Sequence, residues 1–569
     1  MTKRYKIAYT IFFACFFGFS INVKAQDKPV VKAATKDTTR TSVTEEIEVI
    51  RSYKPVLADA VKIRRSPNLN DTKAFNPKVS YDLLDKRLEL NSGIRELEAQ
   101  KLILAKQAAN KNNFAKIGLG NLGTTLGQLN LATGQDEALQ AGFNFNHLGM
   151  KGRLTSQDIS KQEFSGFGRS IGDALVLEGK LSYNRSSLFF YGVGDNNNLI
   201  DISPEKQKFN IFEGEGLVYN RSDADDESNL DFAGKVNASL FNNAFSAKES
   251  SVILSGGVSK NLSKFQIGAN GLVDFTSSKD VTYSLNNHFF KVNPYIKINT
   301  EILRLTAGIN YVNEFGSKQR IHFFPAASLD FMLIKNYLTI FGNFGGDVAK
   351  TRLKDLTGLN PYLNENINIK NTITKFDAAG GIRGTFAANI GYKAIVSYQT
   401  LSDFSYFVNN IDQPQKFDVA YFTGNTKVLG FTGEVIMNFS DAFNLDSKLT
   451  LKQYDNNTEQ NAWLYPGFVL NSTASFKIVD KVKVIGDLLF QGDSKAKILS
   501  YDTSPTPQVI TTIKTIKAFA DISIGAEYQY NKQISAFLRV NNFLGNEYQK
   551  YPYYPNYGIN ILAGVSYGF

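Results

Sequence analysis

The sequence predicts an all-β fold: one transmembrane antiparallel β-barrel of about 20–22 strands, behind a short, partly helical N-terminal segment. Three observations predict it. Phe (44), Tyr (27) and Gly (44) are abundant while Trp (1), His (3) and Met (4) are scarce, a mixture that suits strands, turns and aromatic belts. Apolar and polar residues alternate with period two in one segment after another. The connections between those segments run short on one side and long on the other. A mean hydropathy of −0.21 excludes a bundle of transmembrane helices.

The N-terminus comes first. Lys3, Arg4 and Lys6 form a positive n-region, residues 7–21 an apolar core, and Val23-Lys24-Ala25 a cleavage site, so residues 1–25 read as a secretory signal peptide. The apolar run is shorter than the ~20 residues of a spanning helix. Removing the signal takes away Lys3, Arg4, Lys6, Lys24 and the single cysteine, Cys15, which leaves 59 basic against 53 acidic side chains. That excess does not point to nucleic acid. An exported chain without cysteine must be stable without disulfides, and a closed barrel provides this because every strand is paired.

Residues 26–114 read as a periplasmic or lumenal segment. Stretch 27–44, rich in Lys, Thr and Ala, has no apolar period and reads as a flexible linker. Glu45, Glu46, Ile47, Glu48, Val49 and Ile50 then form a short extended stretch, acidic first and apolar after. Pro67 and Pro77 interrupt any longer helix. Residues 82–90 and 94–109 have helical composition, with Leu97, Leu104 and Ala108 near one face.

Residues 115–569 read as the barrel. Phe290, Val292, Ile296 and Ile298 alternate with Lys291, Asn293, Lys297 and Asn299. Ile390, Tyr392, Ala394, Val396 and Tyr398 alternate with Gly391, Lys393 and Ser397, and Ile534, Ala536, Leu538 and Val540 do the same. The polar faces carry many charges, which fits a wet or plugged lumen. Gly-rich stretches 117–122, 124–132 and 163–171 read either as strands or as chain partly inside the pore. Short turns are expected at 261–262, 300–301, 335–336, 387–388, 440–441, 480–481 and 531–532, and long loops at 346–370, 401–425, 491–511 and 544–555. Counted back from the C-terminus, the short turns fall on the periplasmic side, with both termini there, and 22 strands are expected. At the C-terminus, Tyr557, Ile559, Ile561, Val565, Tyr567 and Phe569 line one side of a strand expected to run from 557 to 569. Twelve steps of ~3.3 Å at ~45° span about 28 Å, close to an outer-membrane apolar band.

Catalytic chemistry is not legible. His147, His288 and His322 are far apart and read as structural. Gly168-Arg169-Ser170-Ile171-Gly172 and Gly118-Leu119-Gly120-Asn121-Leu122-Gly123 match nucleophile-elbow and dinucleotide letters, but without the strand-turn-helix context those need. Asp223, Asp225, Asp226 and Glu227 read as a solvated periplasmic turn. Neither a metal, a cofactor nor an enzymatic activity is expected. Tyr406, Phe407, Tyr421 and Tyr465 read as membrane-interface aromatics in preference to a sugar-stacking platform.

Two resemblances add to this. A terminal Phe569 closing an alternating strand resembles the assembly signal of Gram-negative outer-membrane barrels, which implies outer-membrane lipid and the barrel assembly machinery as partners. Val540-Asn541-Asn542-Phe543-Leu544-Gly545-Asn546-Glu547-Tyr548 resembles the "V-x-N-L-F-(N/D)-x-x-Y" run before the last strand of TonB-dependent receptors, with Tyr551, Tyr553 and Tyr554 as the aromatic loop that follows. The stretch Glu45 to Ile50 is similar to a TonB box, the strand by which such receptors pair with periplasmic TonB. Chain style also resembles proteins of Bacteroidota. The resemblance implies solute uptake across the outer membrane. The chain departs from it in having only about 64 residues between Ile50 and Ala115, too few for the usual plug. An interaction or assembly component of a larger outer-membrane complex, or a passive pore, is the alternative. The substrate is not legible.

Overall fold

The computed structural model describes residues 113–133, 138–194, 199–201, 203–221, 230–387, 389–440 and 442–569. The expected signal peptide, linker, Glu45–Ile50 stretch and helical segment lie outside the described residues, as do Asp223, Asp225, Asp226 and Glu227.

The barrel strands are β1 (Phe114–Gly120), β2 (Thr124–Ala132), β3 (Leu139–Met150), β4 (Ile159–Ile171), β5 (Leu175–Phe189), β6 (Lys206–Asn220), β7 (Leu230–Asn243) and β8 (Lys248–Leu262). They continue as β9 (Phe265–Lys279), β10 (Ser284–Asn299), β11 (Leu303–Gly316), β12 (Arg320–Ile334), β13 (Leu338–Ala349), β14 (Thr372–Ala387) and β15 (Ile390–Ser402). The set ends with β16 (Asn425–Ser440), β17 (Phe443–Asn456), β18 (Phe468–Val479), β19 (Val482–Gln491), β20 (Phe519–Gln529), β21 (Ile534–Asn541) and β22 (Asn560–Gly568). Each pairs antiparallel with the next, and β1 pairs with β22 from Phe114↔Gly568 to Gly120↔Leu562, so the 22-stranded sheet closes. Among the described residues no helix is long and apolar enough to cross a membrane; strands make the crossing.

Period-two sequence sets which side chain faces where. In β8, Val252, Leu254, Val258 and Leu262 stand exposed on the outer wall, whereas Glu249 and Ser251 on the other parity are buried. A slip of one residue would turn the charged set into lipid, so the pattern fixes the register. The Gly-rich stretches near 117–171 are β1, β2 and β4, in the wall and not in the pore. The Gly118–Gly123 run is the end of β1 and its turn, and Gly168–Gly172 ends β4.

Both chain ends of the barrel lie at one rim, which is the periplasmic rim of such barrels. All seven expected short turns lie at that rim, displaced by at most two residues. Two of them are made through a residue at positive φ, Ser263 (φ 58) and Asn336 (φ 66). At 531, the Asn531 side chain accepts from the amides of Gln533 and Ile534 and closes the turn. The opposite rim is less uniform than expected. It carries the long connections 350–371, 403–424, 492–518 and 542–559, but also the tight ones 121–123, 244–247, 280–283 and 317–319.

The last strand is shorter than expected, Asn560–Gly568 and not 557–569. Gly558 at φ +77 breaks the extended run, and Tyr557 falls in the preceding loop, half-buried beside the tyrosines of the outer rim. Ile559, Ile561, Val565, Tyr567 and Phe569 do share the outer, exposed side. An asparagine ladder locks the seam: Asn541 donates to Asn560, and Asn560 to Thr124 Oγ1 (2.6 Å) and Asn121 Oδ1 (3.1 Å). Asn541 and Asn542, from the motif before the last strand, therefore have mechanical roles. Asn541 reaches β22, and Asn542 (φ 48) turns the chain and donates to the Asn546 carbonyl.

Candidate functional site: a capped mouth over a charge-paired lumen

Outer-rim connections from around the ring share one apolar core. It unites Tyr191 and Val193 of 190–205, Leu353, Leu356, Leu363, Ile367 and Ile369 of 350–371, Phe417 and Val419 of 403–424, and Tyr554 of 542–559. Tyr362 stacks on Tyr554 (centroids 3.4 Å, 17°), and Tyr191 meets Tyr554 edge-on at 5.0 Å. Their polar tips are satisfied, which lets them be buried. Tyr554 donates to the Gln415 carbonyl (2.5 Å), Tyr191 to that of Pro555 (3.0 Å), and Tyr551 to that of Leu359. Burial pushes the Tyr362 and Tyr554 phenols well above their ordinary range. These loops come from strands on distant parts of the ring, so the shared core draws them together across the mouth.

Connection 350–371 is also pinned to the barrel wall by charge. Its helix α1 (Leu353–Leu359) has no side-chain cap of its own at Arg352. Glu249 of β8 takes that place, accepting from the Leu353 amide (2.7 Å) and from Ser278 Oγ (2.8 Å). Asp274 of β9 is fully buried and accepts from Arg352 (2.5 Å) and Thr276 (2.5 Å), with Lys350 Nζ at 3.5 Å. Lys354 pairs with Glu213 of β6. Burial brings the Lys350 ammonium down to about 8, against the pull of Asp274. A second knot ties both ends of the loop pair: Glu314 accepts from Arg320, His322 and Asn371, while Arg320 also holds Asp403 (2.7 Å). Buried charges of this kind persist only when paired.

Below the cap, the inward parity of the strands presents ion pairs: Arg169–Glu178, Lys235–Glu215, Lys291–Asp347, Arg383–Asp330, Lys448–Glu434 and Arg539–Asp487, at 2.6 to 3.0 Å. The wall is thus polar but largely charge-compensated. A recess of about 310 Å³ opens on β10–β14, lined by Asn293, Tyr295, Thr306, Asn310, Asn343 and Asp377. It presents amides and hydroxyls with the Asp377 carboxylate, a surface suited to a polar, hydroxyl- or amine-bearing solute.

The aromatics singled out in the sequence stand elsewhere than expected. Tyr406 lies in a second loop core with Val408, Phe422 and Trp463, and Tyr465 packs against it. Phe407 and Tyr421 pack on the main cap. None of the four lies on a barrel strand: Tyr406, Phe407 and Tyr421 belong to the separate hairpin 405–409/417–421 and Tyr465 to connection 457–467, and all four pack in loop cores. The outer girdle comes instead from strand residues such as Phe145, Phe164 and Tyr183, and Phe344, Phe376 and Tyr398, which meet ring to ring across strands. The histidines are dispersed. His147 sits between Thr125 and Gln162, His288 between Phe275 and Phe315, and His322 beside Glu314. The buried acids Glu249, Asp274 and Glu314 carried no sequence signal, since each is one polar residue among many on an inward parity.

No family model matches the sequence, and no curated protein matches it. Solved structures do. The siderophore receptor PirA from Acinetobacter baumannii superposes with a TM-score of 0.60 at 10% identity, covering 80% of each chain. The FrpB iron transporter from Neisseria meningitidis (F3-3 variant) gives 0.60 at 11%, covering 84% of this chain and 83% of that one. The ferric-catecholate import receptor Fiu from Escherichia coli K12 gives 0.59 at 11%, covering 81% and 82%. At such identity the likeness is one of fold. It defines the class: an outer-membrane β-barrel with the fold of TonB-dependent receptors.

Proposed function

We propose that this chain is a gated uptake barrel of the outer membrane, which takes a polar solute through a lumen closed on the outside by its own loops. The single observation that carries this reading is the cap: a buried aromatic core shared by connections from around the ring, above a charge-paired wall with a polar recess. An open-mouthed passive pore has no use for such a cover. In this reading Glu45, Glu46, Ile47, Glu48, Val49 and Ile50 pair with TonB as an added strand and energise opening. The short segment before the barrel replaces a full plug, and the C-terminal stripe ending on Phe569 is read by the barrel assembly machinery. The iron cargoes named for the similar receptors are one class of solute to test first.

The interlocked cap also favours a second reading. Loops tied by buried charge make a fixed outer platform, as a component of a larger outer-membrane complex would need. Two measurements decide. In planar bilayers the intact protein carries no steady ion current; a large constant current overturns gating. In cells, deletion of residues 45–50 reproduces the phenotype of deleting the whole chain; if the cellular role survives, energised uptake falls and the platform reading stands.

A further inference from the structure

We infer that the outer wall of β5–β9 holds a phosphorylated glycolipid of the outer leaflet. The alternation in these strands runs without a bulge to the outer rim. The parity that exposes Leu177 and Leu181, Phe212, Leu240, Val252 and Leu254, and Phe275 to lipid therefore continues upward on that face. Above the apolar edge it reaches Arg185 on β5, Lys206 and Lys208 on β6, Asn242 on β7, Lys248 on β8 and Lys279 on β9.

These residues are in register. Arg185 faces Asn210, Asn210 faces Asn242, Asn242 faces Lys248, and Lys248 faces Lys279. They form one row across five strands, about 19 Å at the ordinary strand spacing. Lys208 and Lys206 stand one and two steps higher, opposite Ser187 and Phe189.

None of the five cations has an ion-pair partner among the described residues, and the carboxylates of these strands near the rim point the other way. Glu249 and Asp274 are buried on the inward parity. Two lysines directly across a strand pair repel each other, so Lys248 and Lys279 are an arrangement that needs an anion. Elsewhere on the same rim the outward Lys427 stands directly across its strand pair from the carboxylate residue Asp455, a neighbour that the β5–β9 row lacks.

The position selects the anion. The row lies just above the apolar band, where lipid headgroups sit, and at the rim opposite the chain ends, so the leaflet is the outer one. The cations fall into two groups, Arg185 with Lys206 and Lys208, and Lys248 with Lys279, with β7 between them. Strands β6 and β8 are two spacings apart, roughly 10 Å. Between the groups, Tyr183 donates to Asn210 and Asn210 to Asn242 (2.9 Å), which leaves the exposed Asn242 amide nitrogen to meet a hydroxyl. Two phosphate sites flanking a neutral polar strip match a bisphosphorylated sugar headgroup better than a single-phosphate lipid.

The test uses the full chain in mild detergent, titrated with a bisphosphorylated diglucosamine glycolipid, its phosphate-free form and phosphatidylglycerol, and read by native mass spectrometry. The bisphosphorylated lipid is expected to remain bound where the other two dissociate. Lys248→Gln with Lys279→Gln is expected to weaken it at least about tenfold, and Arg185→Gln with Lys208→Gln likewise, while Lys427→Gln leaves it unchanged. Each variant is first shown to keep the heat-modifiable gel mobility of the folded barrel. Equal binding of the phosphate-free lipid, equal binding of phosphatidylglycerol, or affinity unchanged in both double variants overturns the inference.

Discussion

Replacing Asp274 with Asn tests whether charge, and not apolar contact alone, holds connection 350–371 in the mouth. Asp274 is fully buried and faces Arg352 at 2.5 Å, Thr276 at 2.5 Å and Lys350 at 3.5 Å. Removing one partner of a buried pair costs about 3–5 kcal/mol, because the other charge is left uncompensated. Here the lower end applies. Burial already brings Lys350 down to about 8, so in the variant it sheds its proton and escapes the penalty, which leaves Arg352 with only the more exposed Asp355 at 3.5 Å. A loss of about 3 kcal/mol corresponds to a roughly 150-fold shift toward the undocked loop. Hydrogen exchange in detergent micelles reads it directly: amides of Leu353–Leu359 lose that factor of protection, while amides of β8 and β9 keep theirs. Adding Arg352→Gln removes the stranded charge and restores most of the protection, since the two sites couple. If helix amides in the single variant exchange within threefold of the parent, the charge anchor is not what holds the loop.

The pH dependence of the same loop follows from Lys350. Its docked value of about 8 lies below its ordinary 10.5, so the undocked state keeps the proton more firmly. Docking is weakest below pH 8 and strengthens as pH rises from about 8 to 10.5, by up to about 3 kcal/mol. Exchange rates of the loop measured from pH 7 to 10, corrected for intrinsic chemistry, show this, and Lys350→Met abolishes the slope. At the seam, Asn560→Ala strips bonds to Thr124 and Asn121 and costs about 1–3 kcal/mol, seen as a lower temperature for loss of heat-modifiable mobility. Gly564→Val is more severe. A Cβ there would stand 2.0 Å from the Ile117 carbonyl and 2.6 Å from the Phe537 ring, so β1 and β22 cannot pair and folded barrel is not recovered. Trp463, the single tryptophan, is buried and donates to Glu459. Its emission shifts red when the loop core around it opens, before the strands unfold.

The wall was legible because its information is local. Each strand declares its two faces within a dozen residues, and Asn531 or Asn336 marks a turn by its own chemistry. The strand count followed from adding such segments. The mouth was not legible, for the opposite reason. Tyr362 and Tyr554 stack on each other from connections nearly two hundred residues apart, and nothing near either one indicates the other. Tyr406 and Tyr465 misled because an aromatic above a strand suits a lipid interface and a loop core equally. Tyr557 fitted the outer stripe by parity, and a single positive φ at Gly558 moved it into the loops. Glu249 and Asp274 look like any inward polar residue until Leu353 and Arg352 arrive from another part of the chain.

The seam and the cap share a consequence for biogenesis. Tyr551 and Tyr554 belong to the connection between β21 and β22, so the aromatic core is missing its keystone until the final hairpin is in place. The main cap is therefore completed last, when the ring closes, whereas the second loop core around Trp463 needs no part of that final hairpin. A chain stalled before its last strand would display unsealed loops, a state that quality-control proteases could distinguish from the finished protein.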